Sequence, residues 1–101
     1  MKISSTVVGA LLAAGSVSGA KLQVYKDKNY KNTCGTFTTS GWHKFNCLAR
    51  SYHYLSDWNQ VCVLFCRDNI FMGYRCQDTD QPDTEFSFNR INIYVGRRPS
   101  C

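Results

Sequence analysis

Outside its first twenty residues, the chain's most apolar stretch is Val61–Gly73, VCVLFCRDNIFMG. It breaks at Arg67-Asp68-Asn69 and resumes at Ile70, which predicts a buried strand, a polar corner and a second strand running to Cys76. Upstream, Leu22-Gln23-Val24-Tyr25 alternates apolar and polar and predicts a first strand, with a turn at Lys26–Asn29. Cys34–Thr38 is rich in β formers, and Thr39-Ser40-Gly41 reads as a loop. Trp42–Cys47 and Arg50–Leu55 are less regular; within the latter, His53 points opposite to Tyr52 and Tyr54 if the segment is extended. Ser56-Asp57 offers an N-cap for a brief helical turn before Trp58, but strand followed by turn is preferred. Gln77–Pro82 (QDTDQP) is polar and turn-rich and predicts an exposed loop. Thr84–Phe88 alternates cleanly, and Ile91–Val95 predicts the last strand. No helical period is sustained anywhere, so the pattern is that of an all-β domain with short strands.

The first twenty residues have a different character. Lys2, the apolar core Val7–Ala14 and the small residues Ser18-Gly19-Ala20 form a signal-peptide pattern, with cleavage expected before Lys21. The apolar run is well short of the ~20 residues a transmembrane span requires. Residues 21–101 then form one small secreted domain with eleven bases against seven acids, because Lys2 is the only charged residue removed. A balance of +4 biases encounters toward acidic surfaces without being a nucleic-acid signature. All six cysteines (Cys34, Cys47, Cys62, Cys66, Cys76 and Cys101) lie in that domain. An even count in a short secreted chain reads as three disulfides, each stabilising by ~2–4 kcal/mol. In a strand, Cys62 and Cys66 share a face but lie about 13 Å apart, beyond the ~7 Å limit for bridged Cα atoms. Each is therefore expected to reach a different partner, and Cys101 to tether the tail.

An internal repeat is visible when the chain is aligned on aspartate. Leu22-x-Val24-Tyr25-x-Asp27-x-x-Tyr30-x-Asn32 matches Val63-x-Phe65-Cys66-x-Asp68-x-x-Phe71-x-Gly73, with Cys34 and Cys76 following at similar distances. A second echo pairs Trp58-Asn59-Gln60-Val61 with Phe88-Asn89-Arg90-Ile91. These elements resemble the βγ-crystallin Greek-key motif, in which an aromatic corner and a glycine follow the first strand. The resemblance implies a small disulfide-stapled Greek-key β-sandwich with the corner aromatics buried at folded hairpins. The family's calcium segment is not reproduced: Cys62-Val63 and Asn92-Ile93 stand where paired serines are needed, and Arg90 would repel the ion. The layout also resembles small secreted fungal proteins, among them host-directed effectors and killer or antifungal toxins.

Candidate chemistry is sparse. His43 and His53 are ten residues apart, so neither a metal nor a cofactor site is expected. No Gly-x-Ser-x-Gly elbow is present. Small secreted fungal ribonucleases use Glu, His and Arg, and Glu85, His43, His53, Arg90 and Arg75 supply those residue types here. The basic clusters Lys26, Lys28, Lys31 and Arg97, Arg98, mixed with tyrosines, are the candidate binding residues. The sequence favours a secreted, non-enzymatic protein that binds an extracellular or host macromolecule. A secreted ribonuclease is the alternative with nucleic acid as partner, and a cationic antimicrobial acting on membranes is the third.

Overall fold

The computed structural model describes residues 20–56 and 60–101. The expected leader up to Gly19, the Trp58-Asn59 half of the second echo and the Asp57 cap lie outside the described residues. Among the described residues there are eight strands and no helix: β1 (Ala20–Asp27), β2 (Lys31–Phe37), β3 (Gly41–Ala49), β4 (Ser51–Ser56), β5 (Val61–Arg67), β6 (Ile70–Arg75), β7 (Thr79–Gln81) and β8 (Phe88–Val95). They form two four-stranded antiparallel sheets, β2-β1-β4-β7 and β3-β8-β5-β6. The fold is a Greek-key sandwich. Strands β1–β4 and β5–β8 make one key each, and each key lends its third strand to the other key's sheet.

The internal repeat reappears in the register. The β1–β2 pairing shifts between Val24 and Tyr25, and the β5–β6 pairing shifts between Phe65 and Cys66, at equivalent points of the aligned sequences. Beyond each shift stands a residue with positive φ, Asn32 at 62° and Gly73 at 132°. Asparagine tolerates the left-handed region better than most side chains, and Asn32 Nδ2 also donates to the Asp27 carboxylate. Each key's fourth strand then pins the turn of its own first hairpin. Ser51 Oγ donates to the Asp27 carbonyl at 2.6 Å and accepts the Tyr30 N–H at 3.1 Å. In the second key Asn89 Oδ1 accepts the Asp68 N–H at 2.9 Å, while Arg90 donates to the Asp68 carbonyl at 3.1 Å. Ser51 is fully buried, and Ser51→Ala leaves the part-buried Tyr30 N–H and Asp27 carbonyl without this partner. The expected loss is about 1–3 kcal/mol, read by urea denaturation; an unchanged midpoint would show the turn to be held by other means.

Strand alternation decides what each face buries. Leu22, Val24, Tyr52 and Tyr54 of the first sheet meet Val61, Val63, Phe65, Phe88, Ile91 and Ile93 of the second in one core. Val61–Cys66 is buried on both faces, which explains its unbroken apolar run. Its inward residues join the core, and its outward residues Cys62, Leu64 and Cys66 form a second cluster with Tyr94, Cys76 and Cys101. The disulfides are Cys34–Cys47, Cys62–Cys76 and Cys66–Cys101. Cys62 and Cys66 thus reach different partners, one binding the end of β6 and the other the C-terminal tail.

Three expectations are corrected. Thr79–Gln81 is not loop but the short edge strand β7, because β4 has a free edge whose Tyr52–Tyr54 backbone pairs with it. Thr84–Ser87 is not strand. The Asp83 carboxylate accepts the Glu85 N–H, Thr84 Oγ1 bonds the Arg50 and Phe86 carbonyls, and Glu85 has φ 64°. Such side-chain-to-backbone bonds compete with a ladder. Of the corner aromatics, Tyr30 is half-buried against the His53 ring at 3.7 Å, whereas Phe71 is 50% exposed. Phe71 lies on the outer face, where its cover is Arg98. Val61 pairs with Val95 and so opens the second key; the first key closes with β4.

Candidate binding surface

The second sheet has an uneven charge distribution. Strands β3, β5, β6 and β8 with the tail 96–101 contain six bases (Lys44, Arg67, Arg75, Arg90, Arg97 and Arg98) and no Asp or Glu. The acids cluster in the first sheet and in the connecting turns and loops. Parity sorts the bases further. Arg75 is opposite Val63 on the inward side, where it lines the mouth of the sandwich together with Tyr52. Burial raises the Tyr52 pKa, and Arg75 partly offsets that rise. The pocket at this mouth encloses about 60 Å³, far below the ~300 Å³ at which small-molecule sites begin.

The outer face is where cations and rings meet. Arg90 lies 4.1 Å over the Trp42 ring, and Arg98 is 4.8 Å from Phe71 and 4.9 Å from Tyr74. Each such stack stabilises by about 0.5–1 kcal/mol at an exposed site. Lys44 stands directly opposite Arg90 across the β3–β8 ladder. Like charges in that arrangement are destabilising. The acid at the border of this face, Asp68, has its carboxylate bonded by Asn89 Nδ2 at 3.0 Å. The Cys66–Cys101 bridge fixes the tail that carries Arg97 and Arg98.

The structure does not unite the two basic clusters read from the sequence. Lys26, Lys28 and Lys31 belong to the β1–β2 hairpin of the first sheet. Lys28 pairs with Asp83 at 3.5 Å, and Arg50 reaches the same carboxylate at 3.1 Å. The Glu85 N–H first, then Arg50 and Lys28, hold the Asp83 carboxyl below its ordinary range. Arg97 and Arg98 follow β8 on the second sheet.

Nor are the acid–base candidates gathered. His43 on β3 stacks on Phe37 at 4.9 Å and bonds the Thr39 carbonyl oxygen at 2.8 Å. His53 on β4 is 2.7 Å from Asp80, with Tyr30 stacked on its ring. Glu85 is exposed in the loop before β8, and Arg90 is engaged by Trp42 and Asp68. Each has a different set of neighbours. Among the described residues, no three His, Cys, Asp or Glu side chains gather as a metal site would require.

Comparisons add no relative. No protein-family model, curated protein or solved structure matches the chain. Among the described residues no helix is long and apolar enough to cross a membrane. The outer face, with Trp42 and Lys44 on its edge strand β3 beside Arg90 on β8, was missed by sequence reading. A signal was there in the absence of any acid from four strands, but strand order was needed to show that those strands share one sheet.

Proposed function

We propose that this chain is a secreted, disulfide-stapled protein of βγ-crystallin-like build that acts by binding an extracellular or host macromolecule, in the manner of small effectors and killer toxins. The observation that carries the binding reading is the acid-free outer face, where guanidinium groups lie on exposed rings, while the acid–base candidates occupy separate neighbourhoods. The two Greek keys, the paired register shifts and the left-handed Asn32 and Gly73 support the crystallin-like build. Three disulfides suit an oxidising compartment.

General acid–base cleavage of RNA needs a base for the 2′-hydroxyl and an acid for the leaving group within hydrogen-bond reach of one phosphate. The expected result is therefore that the oxidised protein leaves single-stranded RNA intact, and that Glu85→Gln changes nothing. RNA cleavage by the parent that Glu85→Gln abolishes would replace the binding reading with an enzymatic one.

A further inference from the structure

The binding reading leaves the partner's chemistry open, and the outer face of the second sheet narrows it. Resting on the binding part of that reading, and putting a membrane in place of its macromolecular partner, we propose that this face docks on the surface of an anionic lipid bilayer.

Charge supplies the first argument. Lys44 and Arg90 oppose each other across strands, and Arg97 and Arg98 follow on the tail, with no carboxylate on any of the sheet's strands. The repulsion built into the face is relieved when a negatively charged surface is laid against it. Their placement is fixed in advance. Arg90 is held by Trp42 and the Asp68 carbonyl, and Arg98 by two rings on a tail tied down at Cys66. Ordering these side chains on contact therefore costs less than ordering free ones.

Apolar exposure supplies the second argument and selects among anions. Trp42 is 43%, Leu48 51%, Phe71 50% and Tyr74 44% exposed. All four belong to the edge strands β3 and β6 of this sheet. Leu48 points away from the buried Ala49 beside it. A soluble polyanion neutralises the cations but gives Leu48 and Phe71 nothing to enter. A headgroup interface accepts both, since Trp and Tyr rings suit that depth and aliphatic side chains reach the acyl boundary below it.

The test is co-sedimentation of the oxidised protein with vesicles of phosphatidylcholine alone and of phosphatidylcholine with phosphatidylserine, at low and high salt. Binding is expected only with phosphatidylserine, with release at high salt and a blue shift of tryptophan emission that Trp42→Phe removes. Each cation near such a surface is expected to contribute roughly fivefold in affinity. The pair Arg90→Ala, Arg98→Ala should thus bind roughly 25-fold more weakly, and Lys21→Ala, on the other sheet, should bind unchanged. Lys44→Glu guards against misfolding as the cause. It places an acid opposite Arg90, so its thermal midpoint should rise while vesicle binding falls roughly 25-fold, as for the loss of two cations. Equal binding to both vesicle types, no binding to either, or unchanged binding by Lys44→Glu would overturn the proposal. Binding to heparin or polyuridylate without binding to vesicles would overturn it too, yet leave the target-binding reading standing. Only RNA cleavage removes that reading.

Discussion

Replacing Cys66 and Cys101 together by alanine is expected to cost more stability than removing either of the other two bridges. The Cys66–Cys101 bridge spans 35 residues and Cys62–Cys76 spans 14. Loop-closure entropy then assigns them about 4 and about 3 kcal/mol. A further loss follows at the longer bridge, the one that ties down the tail. Leu64 is fully buried although it points out of the sandwich, within a cluster that includes Cys76 and Cys101. Freeing the tail exposes part of that side chain, whose complete burial stabilises by roughly 1.5–3 kcal/mol. Total stability for domains in general is about 5–15 kcal/mol, and a small domain belongs near the lower end. The variant should therefore sit close to its unfolding midpoint in water at room temperature. Urea denaturation of the two double variants side by side decides the matter. A smaller loss for Cys66→Ala, Cys101→Ala than for Cys62→Ala, Cys76→Ala would mean that the tail covers nothing that matters.

The same bridge shows what could be read from sequence and what could not. Two residues four apart in a strand share a face and cannot bridge each other, so the separate partners of Cys62 and Cys66 follow from parity. The Asp27–Asn32 and Asp68–Gly73 repeat was equally legible, because left-handed backbone and a turn leave a local signature, and the two register shifts fall at matching places. The exchange of β3 and β7 between sheets left no such signature. It depends on where β4 and β8 have free edges, and Thr79-Asp80-Gln81 becomes a strand only because β4 lies beside it. Ser51 was invisible for the same reason: serine is common, and its two hydrogen bonds exist only once β4 lies against the first turn. The candidate surface divides along that line. Arg97 and Arg98 stood out as a run. Trp42, Lys44 and Arg90 are scattered in sequence and meet only through the β3–β8 pairing.

Phe88→Ala is expected to cost about 3–5 kcal/mol, the range for truncating a buried phenylalanine. Phe88 begins β8 and is fully buried, with the rings of Phe65 at 5.0 Å, Phe45 at 5.8 Å, Tyr52 at 6.1 Å and Phe86 at 6.2 Å. Those rings come from β3, β4, β5 and the loop before β8, so one side chain touches elements of both sheets and both keys. A cavity at such a junction cannot close by the shift of a single strand, because each neighbour is fixed by a different ladder. The loss should accordingly fall in the upper half of the range. Phe88→Leu retains most of the volume and is expected to cost about half as much or less. Phe86→Ala, at a half-buried position that meets Phe88 from the loop, should fall below both if the junction is the cause. Measured by urea denaturation with the disulfides intact, the order Phe88→Ala, Phe88→Leu, Phe86→Ala tests the packing directly. If Phe86→Ala proved the costliest, the loop before β8, and not the meeting of the two sheets, would be what fixes the start of that strand.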